Sequence, residues 1–141
     1  VTTTADDLVR RARERITRVG PHELDGVTTA GGLIVDIRPA LQRRVEGDLP
    51  GAIVVERNVL EWRLDPNGAH RLPEAHSYEQ PIVVVCSEGY ASSLAAASLV
   101  DLGYTRASDL VGGYKAWSTW FDQRRHCESH AMARVTGARP G

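Results

Sequence analysis

The chain has 141 residues, 42% hydrophobic and 25% charged, with a formal net charge of -1 at pH 7. That length supports one ordinary domain with its own core, and the composition excludes a disordered or low-complexity chain. A sequence pI near 6.6 leaves no overall basic field for nucleic acid or an anionic membrane surface, and the apolar runs are too short to cross a bilayer.

In chain order, Thr4 followed by Asp6, Asp7, Leu8, Val9, Ala12 and Ile16 predicts a capped helix packed on the domain, over residues 1–16. Ile16 to Val19 can start a short strand. Pro21, Leu24 and Val27 suggest a short helix ending near Gly31 and Gly32. Leu33-Ile34-Val35-Asp36-Ile37 is a β-branched run with the pattern of a strand buried on both faces, and Pro39 ends it and can open a helix. Ala52-Ile53-Val54-Val55 is read as a second such strand, followed by Val59, Leu60, Trp62 and Leu64 at helical spacing and a turn at Asp65-Pro66-Asn67-Gly68.

Pro81 to Cys86 is the clearest strand, and Ala91 to Leu102 is an Ala-, Ser- and Leu-rich helix stopped by Gly103. Ser108-Asp109-Leu110-Val111 reads as a last short strand, with Gly112-Gly113 leading into a helix carrying Trp117, Trp120 and Phe121. Strands alternating with helices predict an α/β domain with a mainly parallel sheet, in which ligands bind beyond the carboxyl ends of strands. The expected division is an N-terminal helix over 1–16, the domain over 17–121 and a C-terminal extension over 122–141.

Cys86 lies at such a strand end. Residues 86–93 read Cys-Ser-Glu-Gly-Tyr-Ala-Ser-Ser and join the strongest strand to the strongest helix. Backbone N–H groups of such a turn converge on one centre, and the following helix adds the positive end of its dipole, so anionic sulfur is favoured there. A thiolate is the nucleophile, and a persulfide is likewise anionic, so one cradle serves both. Gly89 fits this role because it adopts a positive φ without strain. The plainer reading is that Cys86 is a small buried residue finishing a strand.

Two cysteines, Cys86 and Cys127, are too few for a secreted disulfide framework, and the first residues lack an apolar signal core, so a reducing, cytoplasmic setting is expected. His22, His70, His76, His126 and His130 all read as turn or tail residues, solvated rather than acting as bases. The His126-Cys127-Glu128-Ser129-His130 cluster matches no standard zinc spacing, so no metal is expected.

Over roughly residues 17–121 the chain resembles the rhodanese-like, or sulfurtransferase, family. Val35-Asp36-Ile37-Arg38 looks like its Asp-x-Arg strand end. Gly47 to Ile53 resembles its Gly-His-Ile-Pro-Gly-Ala-Ile segment, with Asp48 in the histidine's place. Cys86 to Ala91 corresponds to the six-residue active loop, and Leu110 to Trp117 resembles the Gly-Gly-x-x-Ala-Trp signature. The resemblance implies a three-layer fold with a central five-stranded sheet flanked by helices. It also implies a Cys86 persulfide loaded by a small-molecule or protein donor (thiosulfate, mercaptopyruvate, a persulfide) and discharged to a thiol or cyanide.

In that scheme the amides of Ser87, Glu88, Gly89, Tyr90, Ala91 and Ser92 form the anion hole, and Ser92 or Ser93 adds a donor. Asp36 and Arg38 are structural, and no cofactor is needed. Many relatives carry cations two and five places after the cysteine; Glu88 and Ala91 stand here, and Glu88 would repel an anionic donor. Arg57, or Arg63 beside it, is the candidate replacement cation, set against its reading as a solvated helix-end arginine. Tyr90 is either a pocket wall or a surface aromatic. Two alternatives stay open: a non-catalytic rhodanese-like module, and a cysteine phosphatase or arsenate reductase. The latter is disfavoured because Ser92 occupies the position of the phosphate-gripping arginine.

Overall fold

A computed structural model describes residues 2–135. Helix α1 (Ala5–Arg13) starts with a reciprocal capping box: the Asp7 amide donates to the Thr4 hydroxyl, and the Thr4 amide to the Asp7 carboxylate. Both would otherwise be orphaned donors. Val9 and Ala12 are buried where α1 packs on a later helix, Leu8 is exposed, and Ile16 lies beyond the helix end, packed at the edge of the core.

The elements that follow are β1 (Thr17–Val19), α2 (Leu24–Thr29), β2 (Leu33–Asp36), α3 (Ala40–Glu46), β3 (Ile53–Val54), α4 (Leu60–Leu64), β4 (Ile82–Val85), α5 (Ala91–Leu102), β5 (Ala107–Leu110) and α6 (Gly113–Val135). The strands form one five-stranded sheet in the order β1-β5-β4-β2-β3, with every pairing parallel. Helices cover both faces, giving the three-layer α/β fold. β4 sits in the middle. Ile82, Val84 and Cys86 point into the core formed with α4 and α5, while Val83 and Val85 point into the core formed with Leu24, Leu110 and Tyr114. Burial on both faces is what a continuous β-branched run encodes.

The expectation for residues 52–55 needs correction. β3 has only two paired residues at the sheet edge, and Val54 is 46% exposed. An apolar run does not reveal whether a strand has one neighbour or two. Helical spacing after it is also only half met, since Leu60 and Leu64 are buried and Trp62 points outward. The segment after Phe121, to which the sequence assigns no element, is helical: α6 continues unbroken to Val135, so His126, Cys127 and His130 lie on a helix. His126 and His130 meet edge to face one turn apart, with Nε2 atoms 3.0 Å from each other. The expectations for residues 136–141 lie outside the described residues.

Candidate active site

β4 delivers Cys86 to the floor of the turn that opens α5, where the residue is 7% exposed. The turn keeps its shape because its own carbonyls are taken from outside. The Tyr114 amide donates to the Cys86 carbonyl at 2.8 Å and the Lys115 amide to the Ser87 carbonyl at 3.1 Å. This approach requires Gly113, at φ +65: a Cβ there would stand 2.5 Å from the Cys86 carbonyl oxygen. With these carbonyls fixed on α6, the loop keeps a conformation in which amides can face the sulfur.

Two of them do. The Gly89 amide lies 3.2 Å and the Ser92 amide 3.3 Å from Cys86 Sγ, and the thiol donates to Ser92 Oγ at 3.2 Å. Gly89 takes φ +89. Behind Ser92 lies Asp109, which is 0% exposed and whose Oδ2 accepts from Ser92 Oγ at 2.8 Å and from Ser93 Oγ at 2.7 Å. Its second oxygen accepts from Arg18 Nε at 2.8 Å.

The other expected site residues are distributed around this centre. Ser87 directs its hydroxyl to Glu46 at 2.8 Å, and Tyr90 is exposed with Arg13 over its ring, 5.4 Å from the centroid. Ala91 opens α5 from an exposed position. The amides of Ser87, Glu88, Tyr90 and Ala91 make no hydrogen bond to Sγ. Ser93 is fully buried and its hydroxyl is bonded to Asp109 rather than to the sulfur. Glu88 is paired with Lys115 Nζ at 2.7 Å, and that contact holds its carboxyl below the usual carboxylate range. Arg57 is spent on Glu61 at 3.0 Å and Arg63 on the His70 carbonyl at 2.6 Å; among the described residues neither bonds to the loop.

Asp36 and Arg38 form a buried scaffold beside the site. Arg38 Nη2 reaches Asp36 Oδ2 at 2.7 Å and the Gly47 carbonyl at 2.9 Å, and its guanidinium lies 4.0 Å over the Tyr114 ring. Burial alone would lower the Arg38 pKa, but the hydrogen bonds to and attraction from Asp36 outweigh it, so the net direction is upward. Arg38 also pairs with Glu46, the acceptor of Ser87, and so connects the end of β2 to the loop. Sequence reasoning left out Arg13, Arg18, Glu46, Asp109 and Lys115. Only Asp109 carried a legible signal, an acid inside an otherwise buried strand, which demands a partner.

The rhodanese-like domain model matches residues 21–119. The adenylyltransferase and sulfurtransferase UBA4 of Candida albicans is 32% identical over 109 residues, covering 76% of this chain. The chain spans only 24% of that protein's length. The thiosulfate sulfurtransferase GlpE of Stutzerimonas stutzeri is 29% identical over 103 residues, covering 71% of this chain and 83% of that protein. Among solved structures, RPA3614 of Rhodopseudomonas palustris, a protein of unknown function described as a possible tyrosine phosphatase, superposes with a TM-score of 0.75. Its identity is 25%, over 84% of this chain and 92% of that one. With the parallel five-stranded sheet and the cysteine turn at the end of its central strand, these likenesses place the chain in one family: it belongs to the rhodanese-like domain family.

Proposed function

We propose that the chain is a sulfurtransferase that carries sulfane sulfur as a persulfide on Cys86. The observation that supports this best is the convergence of the Gly89 and Ser92 amides on Cys86 Sγ, at 3.2 and 3.3 Å. Donors fixed around sulfur favour the thiolate, which is the nucleophile. The thiolate attacks the outer sulfur of the donor; a new S–S bond forms on Cys86, the donor's S–S or C–S bond breaks, and the leaving group departs with the bonding pair. In the second half a thiol or cyanide takes the outer sulfur and Cys86 is released as thiolate. No metal or organic cofactor enters either half.

A phosphatase mechanism fits less well. Ser92 stands where that chemistry needs a guanidinium fork, and the buried Asp109 carboxylate 2.8 Å behind it would oppose a phosphoryl dianion. Thiosulfate, mercaptopyruvate and small or protein-borne persulfides all meet the chemistry as donors. Incubating wild type and Cys86→Ser with each donor, followed by intact-mass measurement, tests the reading. A gain of about 32 Da, one sulfur, in wild type alone is expected. No gain from any donor would refute it and leave a non-catalytic module.

A further inference from the structure

Arg13, the last residue of α1, and Arg18, in β1, both lie ahead of the stretch 21–119 that matches the family model. Both reach the cysteine turn from behind. Arg13 Nη2 donates to the Gly89 carbonyl at 2.8 Å, and its Nε donates to the Ser93 hydroxyl at 3.1 Å. Arg18 Nη2 donates to the same carbonyl at 3.1 Å, while its Nε holds Asp109 at 2.8 Å. One backbone oxygen thus takes two guanidinium donors, and each guanidinium has its second foot on a fully buried group.

Two consequences follow from this clamp. The first is geometric: in a trans peptide the N–H points opposite the C=O, so a Gly89 carbonyl held by the arginines turns the Tyr90 amide away from them. The second is electrostatic. Two fixed positive charges stand one residue's width from Cys86 Sγ, because Gly89 touches the sulfur with its amide and the arginines with its carbonyl. Positive charge there favours anionic sulfur. Asp109 acts with the opposite sign, being one hydroxyl away from Sγ through Ser92, and Arg18 offsets it.

Further charges lie around the turn: Asp6, Arg10 and Glu14 line the hollow that Arg13 and Tyr90 share, with Arg10 bound to Asp7, and the others are paired with one another. Glu88 of the loop is bound to Lys115 of α6, and Asp36 of β2 to Arg38, which with Ser87 also holds Glu46 of α3. The turn itself carries no cation, with Glu88 and Ala91 at its second and fifth positions after the cysteine.

We propose that Arg13 and Arg18 are positioning residues of the sulfur site, supplying from the N-terminal segment the fixed positive charge that the turn lacks. α1 is then part of the active apparatus and not merely packing for α5. This rests on the reading of Cys86 as the nucleophile, but its test does not require sulfur transfer. The full chain is used with Cys127→Ser, which removes the exposed second thiol. Alkylation of Cys86 by iodoacetamide, with loss of iodide, is followed across pH in Arg13→Ala, Arg13→Lys and Asp109→Asn, with thermal melts as a check on folding.

Arg13→Ala is expected to move the midpoint of the pH–rate profile up by about half a unit and to lower the rate near neutrality roughly threefold. Arg13→Lys, which keeps the charge without the fork, recovers most of that shift. Asp109→Asn moves the midpoint down. These opposite signs separate electrostatic positioning from simple structural support. An unmoved midpoint in Arg13→Ala, whether or not the melting temperature drops, overturns the proposal. If no donor loads the wild type yet the midpoints move as stated, the sulfurtransferase reading fails and the clamp stands. If sulfur loads but the midpoints stay, the reverse holds.

Discussion

Replacing Gly89 by Ala separates two contributions of one glycine. Gly89 sits at φ +89, and the three atoms nearest a Cβ there would all be backbone: the Gly112 amide nitrogen at 2.9 Å, the Leu110 carbonyl oxygen at 3.1 Å and the Gly113 amide nitrogen at 3.3 Å. Those atoms do not yield easily, because the first turn of α6 is tied to the Cys86 and Ser87 carbonyls. Gly51 supplies the control, at φ +81 with nothing within 4 Å of its Cβ position. An L residue at such a φ costs roughly 1 kcal/mol. Gly51→Ala should show that cost alone, whereas Gly89→Ala adds an overpacking cost of about 1–3 kcal/mol, for a total of about 2–4. The domain should still fold, since its expected stability is about 5–15 kcal/mol.

The same change displaces the Gly89 amide from Sγ. A hydrogen bond to a charged group contributes about 1.5–3 kcal/mol, so Cys86 alkylation near neutral pH should slow roughly tenfold or more, while Gly51→Ala leaves it unchanged. Urea denaturation gives the stabilities and iodoacetamide kinetics the reactivities. If Gly89→Ala is no less stable than Gly51→Ala, or if Cys86 reacts at the wild-type rate, the steric and hydrogen-bonding argument is refuted.

Arg38→Ala leaves the Asp36 carboxylate buried and unpaired, and urea melts should show a loss of about 3–5 kcal/mol. Asp36→Asn with Arg38→Met should lose clearly less; an equal loss would contradict the ion-pair account. Glu88→Gln frees Lys115 at the loop, and the KM for thiosulfate should fall roughly two- to fivefold at low salt with little change in kcat, the gain shrinking as salt rises. A KM that rises or stays fixed would show that the pair does not govern anion entry. Tyr104 is fully buried with its hydroxyl on the Leu64 carbonyl at 2.6 Å, and burial pushes its pKa up to about 12. The folded state therefore binds the proton more tightly than the unfolded state. The stabilisation is complete below about pH 10 and is lost as pH rises toward about 12, amounting to about 2–3 kcal/mol. Tyr104→Phe should remove that step from an alkaline stability titration and cost about 1–3 kcal/mol at neutral pH.

Much of the fold was legible in local pattern. Helix α5 has the predicted bounds, Ala91 to Leu102, because a run of good helix formers ends at a glycine. β4 was equally plain, since a central parallel strand is apolar on both faces and needs no knowledge of its neighbours. The same logic misjudged residues 52–55, where an apolar run lies at an edge. It also left the helix after Phe121 unassigned, because that stretch has no apolar face to read.

The sequence by itself determined the family's alternating elements, the cysteine at the end of the central strand and the glycine that lets the turn close. Those features depend on short-range backbone chemistry and hydrophobic period. Only the tertiary structure decided what surrounds the sulfur. Arg18 faces Asp109 through parallel strand register, Arg13 reaches the turn through the packing of α1 on α5, and Lys115 meets Glu88 across 27 residues. Charge pairing over such separations depends on where the chain returns in space, which no local pattern encodes. Arg57, read in sequence as either a pocket cation or a solvated helix-end arginine, is bound to Glu61, and the arginines that do bond to the turn, Arg13 and Arg18, belong to the first helix and the first short strand.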